Sequence, residues 1–424
     1  MLAKVKSLIW GVMTFALISL VPTLAHAAVL WVSLDGSALY SDIQSAVNAA
    51  QNGDEIRIVQ GTYTSNNPPD LSESMVYIYG KTLSLIGGFP FVGSTKNDPE
   101  LYPTVIDNEY VVNRRCISIN GAYAINNVYL YGLTFTRGGG PPGTTPQFIA
   151  GGVYNFDSNL KMEKCKFTFN HADGGSPAFA ADAVSRPIIV EISKTKFMSN
   201  GTLGSAAVNV YGFVRHYVPM RITLQITDSI FQNNKSRALS ATDADVVITN
   251  SIFDSNTSSN SSGEQYGGAV WLRGSTAKIQ NCTFYNNVAG SVFPGVIVNT
   301  SQIIGGELGW LPGILDIRNS ILRDGGGEIV TEDFGYPGNA QTSVSFSNVE
   351  GGYEGDHNID ADPLFVSAGD PNAFANDLRL RRRSPSIDSG DSLWAPLADI
   401  LGVPRPQDGD GDGIKKFDFD QIYL

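Results

Sequence analysis

The sequence predicts an all-β protein, a single-stranded right-handed parallel β-helix that forms one solenoid with an N-terminal capping helix. Three observations support this prediction. A short phenylalanine motif recurs at steps of 22 to 34 residues, a second motif of small residues follows it, and the chain combines 45 glycines with only 17% charged residues. Repeats spaced by about 20 to 50 residues are typical of solenoids, and such a composition is typical of short strands joined by turns.

The first 27 residues are predicted to be a cleavable signal peptide. Lys4 and Lys6 precede an apolar stretch at residues 8–20, and Ala25-His26-Ala27 places small residues at a cleavage site. The apolar stretch is shorter than the roughly 20 residues that span a membrane as a helix. We therefore expect export to the cell surface or the extracellular space, a mature chain that begins near Ala28, and no membrane span after cleavage.

The next elements are predicted to close the start of the solenoid. Residues 30–32 predict a first strand, and Ser41 with Gln44 predicts the capping box of a helix that ends near residue 53. The apolar face of this helix consists of Ile43, Ala46, Val47 and Ala50. The alternating residues 54–63 then lead into the first coils, whose strands are predicted at residues 83–86, 104–107, 116–119 and 128–131.

The phenylalanine motif has the form Phe-x-x-Asn and marks the central coils. Glycine replaces asparagine in the same frame at Gly138, Gly325 and Gly352. Because Asn and Gly tolerate the left-handed backbone conformation, we expect the fourth position to form a tight corner after a strand. Stacked asparagine side chains can also hydrogen-bond from coil to coil. The five copies begin at Phe167, Phe197, Phe231, Phe253 and Phe284.

The second motif opens another strand, in residues 151–156, 205–210 and 267–272. Aligning the copies by their first residues places alternate side chains on opposite faces of one parallel sheet. The alignment predicts an outward row of Asn155, Asn209 and Trp271. It predicts two inward rows, one of Tyr154, Val208 and Val270 and the other of Phe156, Val210 and Leu272.

Two family resemblances follow from these motifs. Over roughly residues 133–300 the repeats resemble those of chlamydial polymorphic outer-membrane proteins, and they are similar to pectin-lyase-type β-helices generally. This resemblance implies a β-helical domain at residues 28–342 but no single activity, because the fold carries lyases, hydrolases, esterases, tailspikes and adhesins. Residues 343–424 resemble a choice-of-anchor Q domain, on residues 358–365, 384–391 and 404–413, which implies a C-terminal cap in a surface protein.

The C-terminal acidic stretch predicts a structural calcium site. Asp408, Asp410 and Asp412 stand at alternate positions before a glycine, like the first half of an EF-hand loop, and Asp418 is the natural distal ligand. An EF-hand carries glutamate at its twelfth position, where this chain has Phe419. We therefore expect Ca²⁺ to bind with modest affinity, and a solvated acidic turn is the alternative.

The three cysteines are predicted to be core residues rather than disulfide partners. Cys165 and Cys282 each stand two residues before a repeated phenylalanine, so they are equivalent positions several coils apart. Coils about 4.8 Å apart place them beyond disulfide reach. The histidines of the mature chain, His171, His216 and His357, are widely spaced, so no zinc site is expected.

The leading functional hypothesis is a non-catalytic, adhesin-like protein that binds a polysaccharide or another surface ligand. A formal net charge of −12 argues against nucleic acid and anionic membranes as partners. Trp271 is the predicted ligand-binding residue, because an outward tryptophan offers a flat face to a sugar ring. The alternative for Trp271 is that the loop before it covers the ring.

The alternative hypothesis is a polysaccharide lyase or glycoside hydrolase. Arg215 or Arg221 could supply the base that a lyase needs, although their segment does not reproduce the arginine motifs of pectate lyases. Asp228, Asp243 and Asp245 could serve a hydrolase, although alternate aspartates on a strand are usually solvated. A purely structural envelope or matrix component is the third hypothesis.

Overall fold

The fold is that of a computed structural model, in which three long parallel sheets run side by side along a solenoid. Successive coils contribute one strand to each sheet, which confirms the predicted right-handed parallel β-helix. The structure describes residues 27–64, 73–122, 124–140, 150–172, 175–201, 206–215, 218–258, 267–289, 295–303, 310–333, 339–369 and 376–405.

Among the described residues, sheets 1 and 2 contain eleven and ten strands. Sheet 1 contains Val29–Val32 (β1), Glu55–Val59 (β2), Leu83–Phe89 (β5), Asn127–Tyr131 (β8), Asn159–Glu163 (β12), Ile188–Ser193 (β16), Ile222–Thr227 (β20), Ala244–Thr249 (β23), Thr276–Gln280 (β26), Ile314–Arg318 (β31) and Gln341–Ser345 (β34). Sheet 2 contains Gly61–Thr64 (β3), Thr104–Asp107 (β6), Leu133–Thr136 (β9), Lys166–Thr168 (β13), Lys196–Met198 (β17), Ile230–Gln232 (β21), Ile252–Asp254 (β24), Thr283–Tyr285 (β27), Ile321–Arg323 (β32) and Asn348–Val349 (β35).

Sheet 3 carries the candidate site described below. It contains Ser74–Tyr79 (β4), Arg115–Asn120 (β7), Val153–Phe156 (β11), Phe179–Ala183 (β15), Ala206–Arg215 (β18), Arg237–Thr242 (β22), Val270–Arg273 (β25), Ile297–Thr300 (β28) and Ile329–Thr331 (β33), with Val218–Met220 (β19) antiparallel to β18. Three short pairs complete the strands: Gly139–Gly140 (β10) with His171–Ala172 (β14), Gln302–Ile303 (β29) with Trp310–Leu311 (β30), and Phe365–Ser367 (β36) with Asp377–Leu380 (β37).

One helix, α1 (Ile43–Ala49), packs against β1, β2 and β4 at the start of the solenoid and buries Ile43, Ala46 and Val47 as predicted. It is the only helix in the described ranges, and no helix there has the length and apolar character needed to cross a membrane. Its N-cap is Asp42, so the predicted capping box at Ser41 is wrong. The Asp42 carboxylate accepts two hydrogen bonds from Ser45, from the backbone N–H at 2.8 Å and from the hydroxyl at 2.7 Å, which favours it as the cap.

The repeated phenylalanines form one column through the core, as their spacing predicts. Neighbouring ring centroids from Phe135 to Phe284 are 4.6 to 4.8 Å apart, close to the strand spacing, so each coil adds one ring. Leu322 and Val349 continue the column in the next two coils. The column is formed by Phe135, Phe167, Phe197, Phe231, Phe253 and Phe284, all fully buried.

An asparagine ladder runs beside this column and confirms the predicted hydrogen bonds between coils. Each side-chain amide donates to the Oδ1 of the next asparagine, at 2.7 to 3.1 Å, along Asn170, Asn200, Asn234, Asn256 and Asn287. The predicted corner is wrong by one residue, because the left-handed φ belongs to the residue before each asparagine, such as Phe169 at +55°. Turning there directs the asparagine side chain inward, where it can bond along the helix axis.

A second ladder of hydroxyl and thiol side chains contains two of the cysteines. Backbone N–H groups donate to the hydroxyl one coil further on, as from Cys165 to Thr195 at 3.3 Å and from Cys282 to Ser320 at 3.2 Å. All three cysteines are fully buried in the core, which confirms that they are core residues. Burial raises the pKa of the Cys165 thiol to about 12, so it is unreactive.

The first copy of the small-residue motif is shifted by one residue from its predicted alignment. Val153 pairs with Phe179 and shares the inward row of Val208 and Val270. Tyr154 therefore faces outward, whereas Asn155 is fully buried, the reverse of the prediction. The Asn155 side-chain amide donates to the Ser158 carbonyl at 2.8 Å, whereas its Oδ1 has no hydrogen-bond partner among the described residues.

The C-terminal segment folds back along the outside of the solenoid. Leu378 and Leu380 of β37 pack with Ile252 and Ile321 of sheet 2. Further on, Asn319 and Asp391 exchange two hydrogen bonds, at 2.9 and 2.8 Å. The predicted domain boundary after residue 342 stays a prediction; β34 spans this position, and β34 and β35 pair with the sheets of the solenoid.

Candidate functional site on the outer face of sheet 3

Two outward rows of side chains on sheet 3 form the candidate site, which we call the sheet 3 face. One row runs along Tyr154, Ala180, Asn209, Ser240 and Trp271. The other runs along Phe156, Asp182, Tyr211, Thr242 and Arg273. Strands about 4.8 Å apart give the face a length of roughly 19 Å along the helix axis.

Trp271 lies half-buried against two guanidinium groups. The Cζ atom of Arg237 is 4.7 Å from the ring centroid, and the Cζ atom of Arg273 is 5.2 Å from it. Arg237 comes from the preceding strand and is only 4% exposed. Cation–π contacts contribute about 0.5 to 2 kcal/mol each, so they hold the ring in place. The outward direction of Trp271 agrees with the prediction, and ligand binding by this residue stays a prediction.

Asp182 is a buried carboxyl in the second row. The Tyr154 hydroxyl donates to its Oδ2 at 2.8 Å, and the Arg115 guanidinium lies 4.8 Å from the Tyr154 ring centroid. The other carboxyl oxygen of Asp182, Oδ1, has no hydrogen-bond partner among the described residues. Burial raises the pKa of Asp182 to about 8, and the nearby Asp157 adds to this shift while Tyr154 and Arg115 oppose it. This carboxyl is therefore mostly protonated at neutral pH.

Asp243 is a second buried carboxyl, at the left-handed corner that leads from sheet 3 to sheet 1. Burial raises its pKa to about 7, although Arg273 and Arg221 oppose the shift. Its Oδ1 has no hydrogen-bond partner within the described ranges. Both carboxyls affect the pKa of the Tyr211 phenol. Burial is the main cause of its raised pKa, and the charges of Asp243 and Asp182 raise it further. Two strand spacings separate Asp182 from Asp243, so their backbones are roughly 10 Å apart.

The other predicted candidates lie in different places. Arg221 pairs with the exposed Asp245 at 2.8 Å at the edge of sheet 1, and Asp228 accepts a hydrogen bond from Asn250 at the corner between sheets 1 and 2. The side chain of Arg215 and the whole of His216 lie outside the described residues. The expectation that the three aspartates are solvated is wrong for Asp243, which the fold buries beneath the outer surface of sheet 3.

The predicted calcium ligands Asp408, Asp410, Asp412 and Asp418 also lie outside the described residues. In the part of the chain that the structure does describe, no three Asp, Glu, His or Cys side chains converge as metal ligands.

Asp182, Tyr154 and Arg115 are functional candidates that the sequence analysis missed. The strand Phe179–Ala183 carries no repeat motif, and the shifted alignment placed Tyr154 inside the core. One signal was present: Asp182 is the only charged residue in an otherwise apolar strand, where a buried carboxyl costs free energy unless it is neutral or paired.

Comparison with known proteins finds similar solved structures but no similar sequence. No family model and no curated protein sequence matches the chain. Three similar solved structures are a rhamnogalacturonan lyase (13% identity, 80% of this chain and 91% of that chain, TM-score 0.45), the pectate lyase Pel9A (12%, 87% and 93%, 0.41) and the pectin methylesterase from Aspergillus niger (13%, 80% and 88%, 0.38). The sheets themselves define the class of the chain, a right-handed parallel β-helix protein.

Proposed function

We propose that this chain is an exported β-helix protein that binds a polysaccharide along the sheet 3 face. One observation carries the proposal: the partly exposed rings of Tyr211 and Trp271 lie on the same face as the partly exposed guanidinium group of Arg273. Tyr154, Arg115 and Arg237 are buried in the same face. Aromatic rings stack on the apolar faces of sugars, and guanidinium groups donate paired hydrogen bonds to hydroxyl or carboxylate oxygens. The regular strand spacing repeats these contacts along the axis.

Hydrolysis of the bound polysaccharide is the second candidate function, favoured by the two buried carboxyls. Asp182 and Asp243 have pKa values raised to about 8 and about 7 and each has an oxygen without a partner among the described residues. In such a reaction the protonated carboxyl gives its proton to the glycosidic oxygen, while the other takes a proton from water. The water oxygen then bonds to the anomeric carbon as the glycosidic bond breaks.

Binding is tested with a panel of acidic and neutral polysaccharides and the Trp271→Ala variant. We expect wild type to retain at least one polysaccharide and Trp271→Ala to lose most of that affinity, because the ring supplies stacking area. Tyr129→Ala removes an outward aromatic ring from sheet 1 and is the matched control. Unchanged binding in Trp271→Ala would remove this residue from the site.

Catalysis is tested on the same panel by the release of reducing ends, with calcium and with a chelator. Release that disappears in Asp182→Asn or Asp243→Asn would establish the hydrolase, and release with an unsaturated, ultraviolet-absorbing product would indicate a lyase instead. Binding without release would leave the non-catalytic proposal standing.

A further inference from the structure

The asparagine ladder ends on a carboxylate rather than on another asparagine. The Oδ1 atom of Asp324 accepts two hydrogen bonds from Asn287, from the backbone N–H at 2.5 Å and from the side-chain amide at 3.0 Å. These are the contacts that Asn287 itself accepts from Asn256. Asp324 therefore occupies the next rung of the ladder, one residue before the glycine that the repeat frame predicts there.

Glu328 lies against this last rung and is only 3% exposed. Its Oε1 accepts the backbone N–H groups of Asp324, at 3.0 Å, and of Gly326, at 3.1 Å. The remaining oxygens, Oδ2 of Asp324 and Oε2 of Glu328, are buried and receive no hydrogen bond from any other described residue. Both carboxyls therefore belong to one short turn, in which the backbone N–H of Asp324 joins them.

The surrounding charges do not neutralise two buried carboxylates. Arg323 is directed to Asp360 at 2.9 Å and to Glu350 at 3.9 Å. Glu350 and the phenol of Tyr285 face the pair from neighbouring elements, and Asp254, Asp362 and Arg381 lie further along the same surface. Burial and the charge of Glu328 raise the pKa of Asp324 well above its usual range. Burial and the charge of Glu350 raise the pKa of Glu328.

We propose that Asp324 and Glu328 share one proton and act as a pH-sensitive latch at the C-terminal end of the asparagine ladder. The shared proton bridges Oδ2 and Oε2, so the pair carries one negative charge instead of two. Loss of that proton as pH rises leaves two like charges in a buried site. The turn between them is able to open, because Gly325 and Gly326 are exposed and have φ values of +103° and +94° that glycine adopts without strain.

Opening of the latch would change the neighbouring groove. A groove of about 670 Å³ lies between the last coils and the C-terminal segment, and Asp324 and Gly325 form part of its wall. The opposite wall is formed by residues 362–368. The latch therefore couples pH to the shape of a groove formed by the ends of sheet 2 strands and the C-terminal segment, and it does not depend on the proposed polysaccharide binding.

Hydrogen exchange at residues 323–329, followed from pH 5 to pH 9, tests the latch. In wild type we expect the protection factors of these amides to fall by up to about tenfold per pH unit once the proton is lost. Asp324→Asn should keep its protection across the range, because the amide Oδ1 still accepts from Asn287 and no charge appears. Glu328→Gln should do the same, since its amide oxygen can still accept from the turn.

Asp362→Asn is the control, because it removes an exposed carboxylate from the same groove and should leave the wild-type pH dependence intact. Flat protection in wild type, or an unchanged pH dependence in both Asp324→Asn and Glu328→Gln, would overturn the proposal. Calcium that restores protection at pH 8 in wild type but not in Asp324→Asn would show a cation site in place of a shared proton, and would overturn it as well.

Discussion

At the scale of single residues, the carboxyls Asp182 and Asp243 set the chemistry of the sheet 3 face. Both are buried beside arginine and tyrosine, and both have pKa values raised into the range around neutrality. Groups that titrate there change the charge of a surface within the ordinary working range of pH. If this face binds an acidic polysaccharide as proposed, its affinity should fall as pH rises from 6 to 9, as measured with the polysaccharide panel.

Asp182→Asn should remove a pH-dependent part of the stability. The folded state raises the pKa of Asp182 from 3.8 to about 8, so this contribution is complete below the unfolded value and is lost as pH rises through 8. Between pH 5 and pH 9, the free energy of unfolding of wild type should fall by on the order of a few kcal/mol more than that of Asp182→Asn, since each pKa unit corresponds to about 1.4 kcal/mol. Urea unfolding at each pH measures this difference. The exposed Asp245→Asn is the control, and parallel curves for wild type and Asp182→Asn would contradict the prediction.

At the scale of elements, each coil is held in register by columns of equivalent side chains. The phenylalanine column supplies apolar burial, and the asparagine ladder supplies hydrogen bonds in the direction of the helix axis. Because each ladder residue both donates and accepts, removing one leaves polar groups unpaired in the coils on both sides. The ladder should therefore be more sensitive to substitution at its centre than at its ends.

Asn234→Ala should destabilise the protein by roughly 3 kcal/mol or more, because buried unpaired groups cost about 1 to 3 kcal/mol each. The variant loses the bonds from Asn234 to the Phe197 carbonyl and to Asn256, and it leaves the Asn200 amide without its acceptor. Thermal and urea unfolding measure the loss. Lys235→Ala, next to it in the chain but outside the ladder, should change stability by no more than about 0.5 kcal/mol. Equal effects of the two substitutions would argue against the ladder's importance.

At the scale of the whole molecule, the C-terminal segment ties coils together that are distant along the axis. Neighbouring coils of a solenoid contact only each other, so a segment that runs along the side adds long-range contacts. Asn319 contacts Asp391, and Asn250, two coils earlier, contacts Arg405. The C-terminal segment thus connects coils near the end of the solenoid that do not contact each other directly.

Asn319→Ala should loosen this segment without unfolding the coils. The substitution removes both hydrogen bonds with Asp391, which together contribute about 1 to 3 kcal/mol. We expect faster hydrogen exchange and earlier proteolytic cleavage in residues 376–405, with unchanged exchange in the phenylalanine column. Gln225→Ala, on the exposed face of sheet 1, serves as the control. Uniformly faster exchange throughout the solenoid would show that the segment is not a separate unit.

Calcium should stabilise the folded protein if the acidic stretch at residues 408–418 binds it. We expect calcium to raise the midpoint of thermal unfolding and a chelator to lower it, because a ligand that binds only the folded state stabilises that state. Asp410→Asn should reduce this calcium response, whereas Asp245→Asn should preserve it. A midpoint that does not respond to calcium would leave the acidic turn as a solvated one.

Repetition made the architecture predictable from the sequence. The Phe-x-x-Asn copies place equivalent residues in successive coils whatever the length of the loops between them, and the structure pairs their phenylalanines in register. The same repetition predicted the buried cysteines. The small-residue motif lacks such an anchor, and a shift of one residue exchanged the inward and outward faces of residues 153–156.

The sequence by itself therefore determined the solenoid, its core columns and the outward position of Trp271, because these depend on periods along the chain. Only the tertiary structure placed Arg237 and Arg273 on the Trp271 ring, Tyr154 on Asp182, and Glu328 against Asp324. Two of these contacts, Arg237 with Trp271 and Tyr154 with Asp182, join residues from different coils, separated by loops whose lengths follow no period. Their pKa shifts arise from burial, a property of the folded surroundings that neighbours along the chain do not specify.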